Sequence, residues 1–261
     1  MIRSPLSVLA LLALLLGSPR VDAWPADLSQ RIARDALQIV PKSLAEMFLA
    51  NEKEIFADAR ASTLPALSLV YSDLPKGKLS PATREALALE FAERAKALRG
   101  KDFRGAVIAL GATYRLAVDL ADPSVGLGIG SDAKARAIRR EFYLFTSANL
   151  DKIPVVLVEP DSMRLGLDAL PAFLDTVIAK TPAQAARLRE EAQEGGRVTA
   201  AAEIDFRSPV FAVSSTAYSR SVSAVAATWI AIWRSAGGDM TRQKPPRVVK
   251  PRPFGLKNEE N

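Results

Sequence analysis

Apolar residues recur at helical spacing along most of this chain. In DLSQRIARDALQIVP, Ile32, Ala36, Ile39 and Val40 share one face, and the run stops at Pro41. KSLAEMFLANEKEIFADA continues the period with Leu44, Met47, Phe48, Ile55 and Phe56. A segment holding Pro65, Pro75 and Gly77 then breaks it, and ALSLVYSDL within that segment fits either a short strand or a packed excursion. Ser80 and Pro81 pair a cap with proline at the first helical position, predicting a charged amphipathic helix to about Leu98 that Gly100 ends. From Phe103 to Leu120 apolar residues occupy almost every side, the pattern of a central, enclosed helix. TPAQ, Thr181 to Gln184, reads as a capping box opening a further charged helix that Gly195 and Gly196 stop. Ser208 and Pro209 open a last helix on which Val210, Val213, Tyr218, Val222, Val225, Trp229 and Trp233 mark one face, closed by Gly237 and Gly238. IPVVLVEP, Ile153 to Pro160, has the character of a strand, and one isolated strand cannot make a sheet. The expected class is all-α, a single helical domain without internal repeats.

The two ends read differently from this middle. Arg3, the apolar run LSVLALLALLLG and the small-residue site VDA before Trp24 predict a signal segment over residues 1–23, hence an exported, periplasmic or extracellular protein. The apolar run is too short to span a bilayer comfortably. The helical domain is expected over 24–239. After it, residues 240–261 carry prolines and basic residues with no apolar period, which predicts a disordered tail.

Charge changes the picture only once it is located. Of the net +6, the signal segment holds +1 and the stretch Thr241 to Asn261, with six basic and two acidic residues, holds +4. The domain is therefore near neutral, so no nucleic acid is expected as a partner, and the tail is left as a weak contact for anionic surfaces. Cysteine is absent, which removes disulfides and thiolate chemistry. Histidine is also absent, which removes the commonest general base, the commonest zinc ligand and every imidazole triad. GLGIG, Gly126 to Gly130, follows a turn and lacks the lysine of a phosphate loop, so it reads as a flexible loop. Ser214, Ser215, Ser219, Ser221 and Ser223 read as small residues that permit close helix packing. Arg115 and Asp119 sit one turn apart in apolar surroundings, and Asp122-Pro123 reads as turn chemistry.

Three stretches carry a resemblance: WPADLSQRIARDALQIVP opening the expected mature chain, LGATYRLAVDLADPSV in the middle, and the last helix with Tyr218, Trp229 and Trp233 before two glycines. Together they resemble the zinc-dependent phospholipase C and single-strand-specific nuclease superfamily. That family is mostly helical and exported. Its first residue is a Trp whose amine and carbonyl bind metal, and its core helix carries His-x-x-x-Asp, then Leu, a Pro turn and another His. The resemblance implies that Trp24 and Asp119 retain family positions, whereas Ser29, Arg115 and Val125 stand where the family has histidines. The later His-x-x-x-Glu helix falls near RREFYLFTSANLDKI, at Tyr143 and Ser147.

With those losses the trinuclear zinc centre and its metal-activated water do not transfer. Zinc takes imidazole, thiolate and carboxylate in sets of about four, and calcium takes roughly six to eight oxygens. Asp58, Asp119 and Asp122 do not visibly form such a cluster. The expectation is a non-catalytic relative with no catalytic residues, no metal and no cofactor, binding an unidentified envelope ligand or protein. In it Arg115 takes the space of the lost zinc and meets Asp119 with two parallel donors. The alternative is a phosphodiester hydrolase using unrecognised carboxylates.

Overall fold

A computed structural model describes residues 24–61, 66–128, 133–194, 208–241 and 248–249. Residues 1–23, where the signal segment is expected, lie outside the described residues, as do 242–247 and 250–261 of the tail. In chain order the helices are α1 (Ala26–Ala36), α2 (Lys42–Ala50), α3 (Glu52–Ala61), α4 (Leu67–Asp73), α5 (Pro81–Ala97), α6 (Phe103–Ala112), α7 (Tyr114–Leu120), α8 (Ala133–Ala148), α9 (Leu170–Ile178), α10 (Thr181–Glu194) and α11 (Pro209–Ser235). The fold is all-α around one continuous core. Its extended structure, among the described residues, is a two-residue antiparallel pair of β1 (Val155–Val156) with β2 (Val248–Val249).

The enclosed element is α11, where the periodicity pointed to Phe103–Leu120. Every residue of α11 from Ser221 to Trp233 is buried, and α1, α5, α7, α9 and α10 pack around it. Alanines and serines between the large residues let neighbours approach from all sides, so the single face read from its apolar positions underestimates its burial. Trp229 seals the junction with α2 and α6: its ring meets Phe48 edge-on at 4.7 Å and its Nε1 donates to the Leu110 carbonyl at 3.1 Å. No helix among the described residues is long and apolar enough to cross a membrane.

Phe103–Leu120 itself is two helices. Thr113 breaks them by donating its hydroxyl to the Leu110 carbonyl at 2.7 Å, while its own carbonyl accepts from Leu116 in a tightened turn. Phe103 at the start is exposed; α7 is buried except at Arg115.

Local signals hold where the cap residue is free to serve. Ser80 and Ser208 accept from the amides of Thr83 and Phe211. The end of α11 follows the sequence too: Gly237 is left-handed at φ 82°, its N–H reaches the Arg234 carbonyl and the Gly238 N–H reaches that of Trp233. One expectation fails, and one reading left open is decided. The capping box at Thr181 does not form, because Thr181 donates to the Ile178 carbonyl, and Gln184 pairs its amide with Lys180 and its side chain with Arg220. ALSLVYSDL is helical as α4, and its end is fixed by Asp73, whose buried carboxylate accepts from Lys76, the Ser80 amide and Thr83.

β1 resolves the puzzle of the isolated strand. Ser219 and Ser223, one turn apart on α11, accept from the amides of Val156 and Val158 at 3.2 and 2.9 Å. Four residues of α-helix rise about 6.0 Å, close to the roughly 6.6 Å repeat of alternate strand residues, so two serines can hold one edge of the strand. These serines do more than make room. β2, from the tail, lies along the other edge with Val155 opposite Val249 and Val156 opposite Val248.

Candidate functional site

Trp24 opens the described chain and is 2% exposed. Its ring rests on Phe142 and Tyr143 of α8, with centroids 5.5 and 5.7 Å away. Ser29, one turn into α1, donates its hydroxyl to the Trp24 carbonyl at 3.2 Å. The structure thus joins Trp24, Ser29 and Tyr143, three of the positions that the resemblance relates to the metal centre. The indole Nε1 of Trp24 is buried with no hydrogen-bond partner among the described residues.

Asp119 and Arg115 are also neighbours, but not as the bidentate pair expected. The Arg115 Nε stands 3.9 Å from Asp119 Oδ2, and its NH1 donates to the Ala59 carbonyl at 3.2 Å. Tyr71, on α4, instead donates its hydroxyl to Asp119 Oδ2 at 2.7 Å. A neutral phenol delivers a short hydrogen bond without bringing a second charge into the core, and this relieves the buried carboxylate at a smaller desolvation penalty than a guanidinium. Burial, reinforced by the Asp119 charge, holds the Tyr71 hydroxyl well above the ordinary tyrosine range. Val125 lies in the 3-10 turn Pro123–Leu127 and is part of the apolar core, and Ser147 is exposed on α8.

The same chemistry recurs twice. Asp122, fully buried, accepts from the Ser124 amide at 2.7 Å as the turn reading predicts, and from the Tyr143 hydroxyl at 2.7 Å. Burial raises its carboxyl to about 6, although Tyr143 and Ser124 pull it down. Asp35 on α1 accepts from Tyr218 of α11 at 2.8 Å, with Arg31 beside it at 3.4 Å. Three of the four tyrosines therefore donate to buried aspartates, and the fourth, Tyr114, sets its ring edge-on against Phe56. Sequence reasoning missed Tyr71 and Asp35 altogether, and it saw Tyr218 as part of an apolar face and of the resembling last helix but not as a donor to a carboxylate. The available signal was aspartates at apolar helical positions in a chain lacking histidine.

These aspartates do not assemble into a metal site. Among the described residues no three carboxylates converge on one point that could hold an ion. Asp119, Asp122 and Asp35 each already accept a hydrogen bond from a tyrosine hydroxyl, and no imidazole or thiolate exists to complete a zinc set. The residues present do not fit the family's zinc centre. An apolar cleft elsewhere, between α1, α2, α3 and α11, holds about 230 Å³ including solvent-open space. Phe48, Phe56 and Trp229 are among its walls and the 2.7 Å Arg34–Glu52 pair among its rim.

No protein-family model, curated protein or solved structure matches this chain.

Proposed function

We propose that this protein is an exported, non-catalytic relative of the zinc-dependent phospholipase C and single-strand-specific nuclease superfamily, serving as a ligand- or partner-binding protein of the cell envelope. The observation that carries the reading is the fate of Asp119. At the position where the family's carboxylate faces a metal cation, this aspartate is buried and takes its hydrogen bond from Tyr71. Around it, Ser29 in a histidine position bonds the Trp24 carbonyl, and Tyr143 in another bonds Asp122. Asp119, the Trp24 carbonyl, Ser29 and Tyr143 thus each have a protein partner. Export rests on the charged, apolar and small-residue pattern of residues 1–23.

A hydrolase built on carboxylates alone finds less support, since it needs several acidic groups around one ion. The reading is tested by metal analysis of protein purified without chelator, alongside hydrolysis of a phosphodiester such as bis(p-nitrophenyl) phosphate. Substoichiometric zinc, no chelator-induced change in melting temperature and no hydrolysis above background are expected. Stoichiometric zinc lost to chelator together with hydrolysis would overturn it in favour of the enzyme.

A further inference from the structure

The strand at Val155–Val156 is built in an unusual order. Its inner edge is fastened before any second strand is needed: Val156 and Val158 donate to Ser219 and Ser223, and Ser219 in turn donates to the Pro154 carbonyl at 3.3 Å. Those serines are themselves buried on α11, so this edge is anchored to the core. Pro154 and Pro160 bracket the segment, and neither has an N–H to offer a neighbour. Strand alternation turns the N–H and C=O of Val155 the opposite way from those of Val156, toward the outer edge. There they face Val249 of the tail, Val155 and Val249 being directly paired. Val155 is wholly buried whereas Val156 is 48% exposed.

The covering segment has the opposite character. Its two paired residues stand in KPPRVVKPRP, so Pro246 and Pro251 limit how far a ladder can grow in either direction. A two-residue ladder is marginal by itself. It persists in the resting chain because tethering gives the tail an effective concentration of about millimolar order. A receptor edge prebuilt by the core and a ligand strand limited by its own prolines make an exchangeable contact. Once uncovered, an edge of this kind is where strands from another chain add.

We propose that the outer edge of Val155–Val156 is a docking site for a basic, proline-flanked Val-Val segment, occupied in cis by the chain's own Val248–Val249 and open to the same segment of a second copy when the tail is released. The site is independent of the family reading above: it uses α11, β1 and the tail, and none of the former metal-site positions.

The test uses the full chain carrying Val249→Pro, which removes the paired N–H, and a fluorescein-labelled peptide spanning Gln243 to Phe254. The peptide is expected to bind this variant saturably and at least about tenfold more tightly than it binds the wild-type protein, whose tail competes in cis. Adding Ser219→Ala and Ser223→Ala should weaken that binding by at least about tenfold, and a peptide itself carrying Val249→Pro should not bind. Amide exchange gives a second readout without added peptide. Val155 should exchange faster in Val249→Pro than in wild type, while Val156, bonded to Ser219, should not change. Equal binding to both proteins, no binding to either, equal binding of the proline-bearing peptide, or an unchanged Val155 amide would each overturn the proposal.

Discussion

Asp119 shows how a buried carboxylate takes a short hydrogen bond from a neutral donor, with the Arg115 guanidinium 3.9 Å away. Tyr71→Phe removes the 2.7 Å donor and leaves the carboxylate under-satisfied, which should destabilise the fold by about 1–3 kcal/mol in urea unfolding. Adding Asp119→Asn should recover part of that loss, because the carboxamide carries no charge. If Tyr71→Phe leaves stability unchanged, Tyr71 is not what satisfies Asp119. Asp122 and Asp73 make opposite contributions to pH dependence. The Asp122 carboxyl is raised to about 6 in the fold, against about 3.9 unfolded, so the native state binds its proton more tightly. Its contribution therefore grows as pH falls from about 6 toward 4, by on the order of 2–3 kcal/mol. At Asp73, burial pushes the carboxyl up but Lys76, Thr83 and Ser80 outweigh it, and the net shift is down. That stabilisation is present above about pH 4 and is lost below it. Unfolding measured across pH should accordingly show Asp122→Asn flattening the rise between pH 6 and 4, with the decline at lower pH retained. The substitution keeps an oxygen for the Ser124 amide, so a loss of the low-pH decline as well would mean the two aspartates are not separable.

At the scale of elements, side chains hold backbone segments that lack regular partners. Replacing both Ser219 and Ser223 with alanine leaves the amides of Val156 and Val158 without these acceptors. It should destabilise by about 1 kcal/mol per lost bond, with faster exchange at those two amides and little change in α11, which keeps its own ladder. An undiminished protection of Val156 would show that the strand is held by other means. The end of α11 makes a sharper case. A Cβ on Gly238 would fall 2.1 Å from the Trp233 ring, displacing the indole that donates to the Asp239 carbonyl. Gly237 has open space around it but a left-handed backbone, where alanine is disfavoured by roughly 1 kcal/mol. Gly238→Ala is thus expected to lower the melting temperature more than Gly237→Ala. The reverse order would show that backbone conformation, not the aromatic contact, limits this corner.

The whole molecule is organised by α11 rather than by the apolar run in the middle of the chain. The two can be told apart by substitution, since removing volume from the more enclosed helix leaves a cavity that neighbours cannot fill. Val225→Ala on α11, fully buried, should cost more than Ile108→Ala on α6, which is only partly buried, despite isoleucine losing the larger side chain. Equal or inverted losses in chemical unfolding would mean that α6 is as much a centre of the core as α11.

What the sequence determined by itself was local: an all-α class, most helix positions, the caps at Ser80 and Ser208, the glycine stop after Ser235 and the turn at Asp122. Each follows from residues within about one helical turn of one another, which periodicity and capping chemistry can read. That same local view suggested Arg115 for Asp119, since a residue four positions away is the only neighbour that spacing reveals. Tertiary structure brought Tyr71 across 48 residues to Asp119 and Tyr218 across 183 to Asp35, and it set Ser219 against Val156, 63 residues earlier. It also decided which apolar helix is enclosed, because apolar residues all round make a helix able to be buried, while packing fixes which one the others surround.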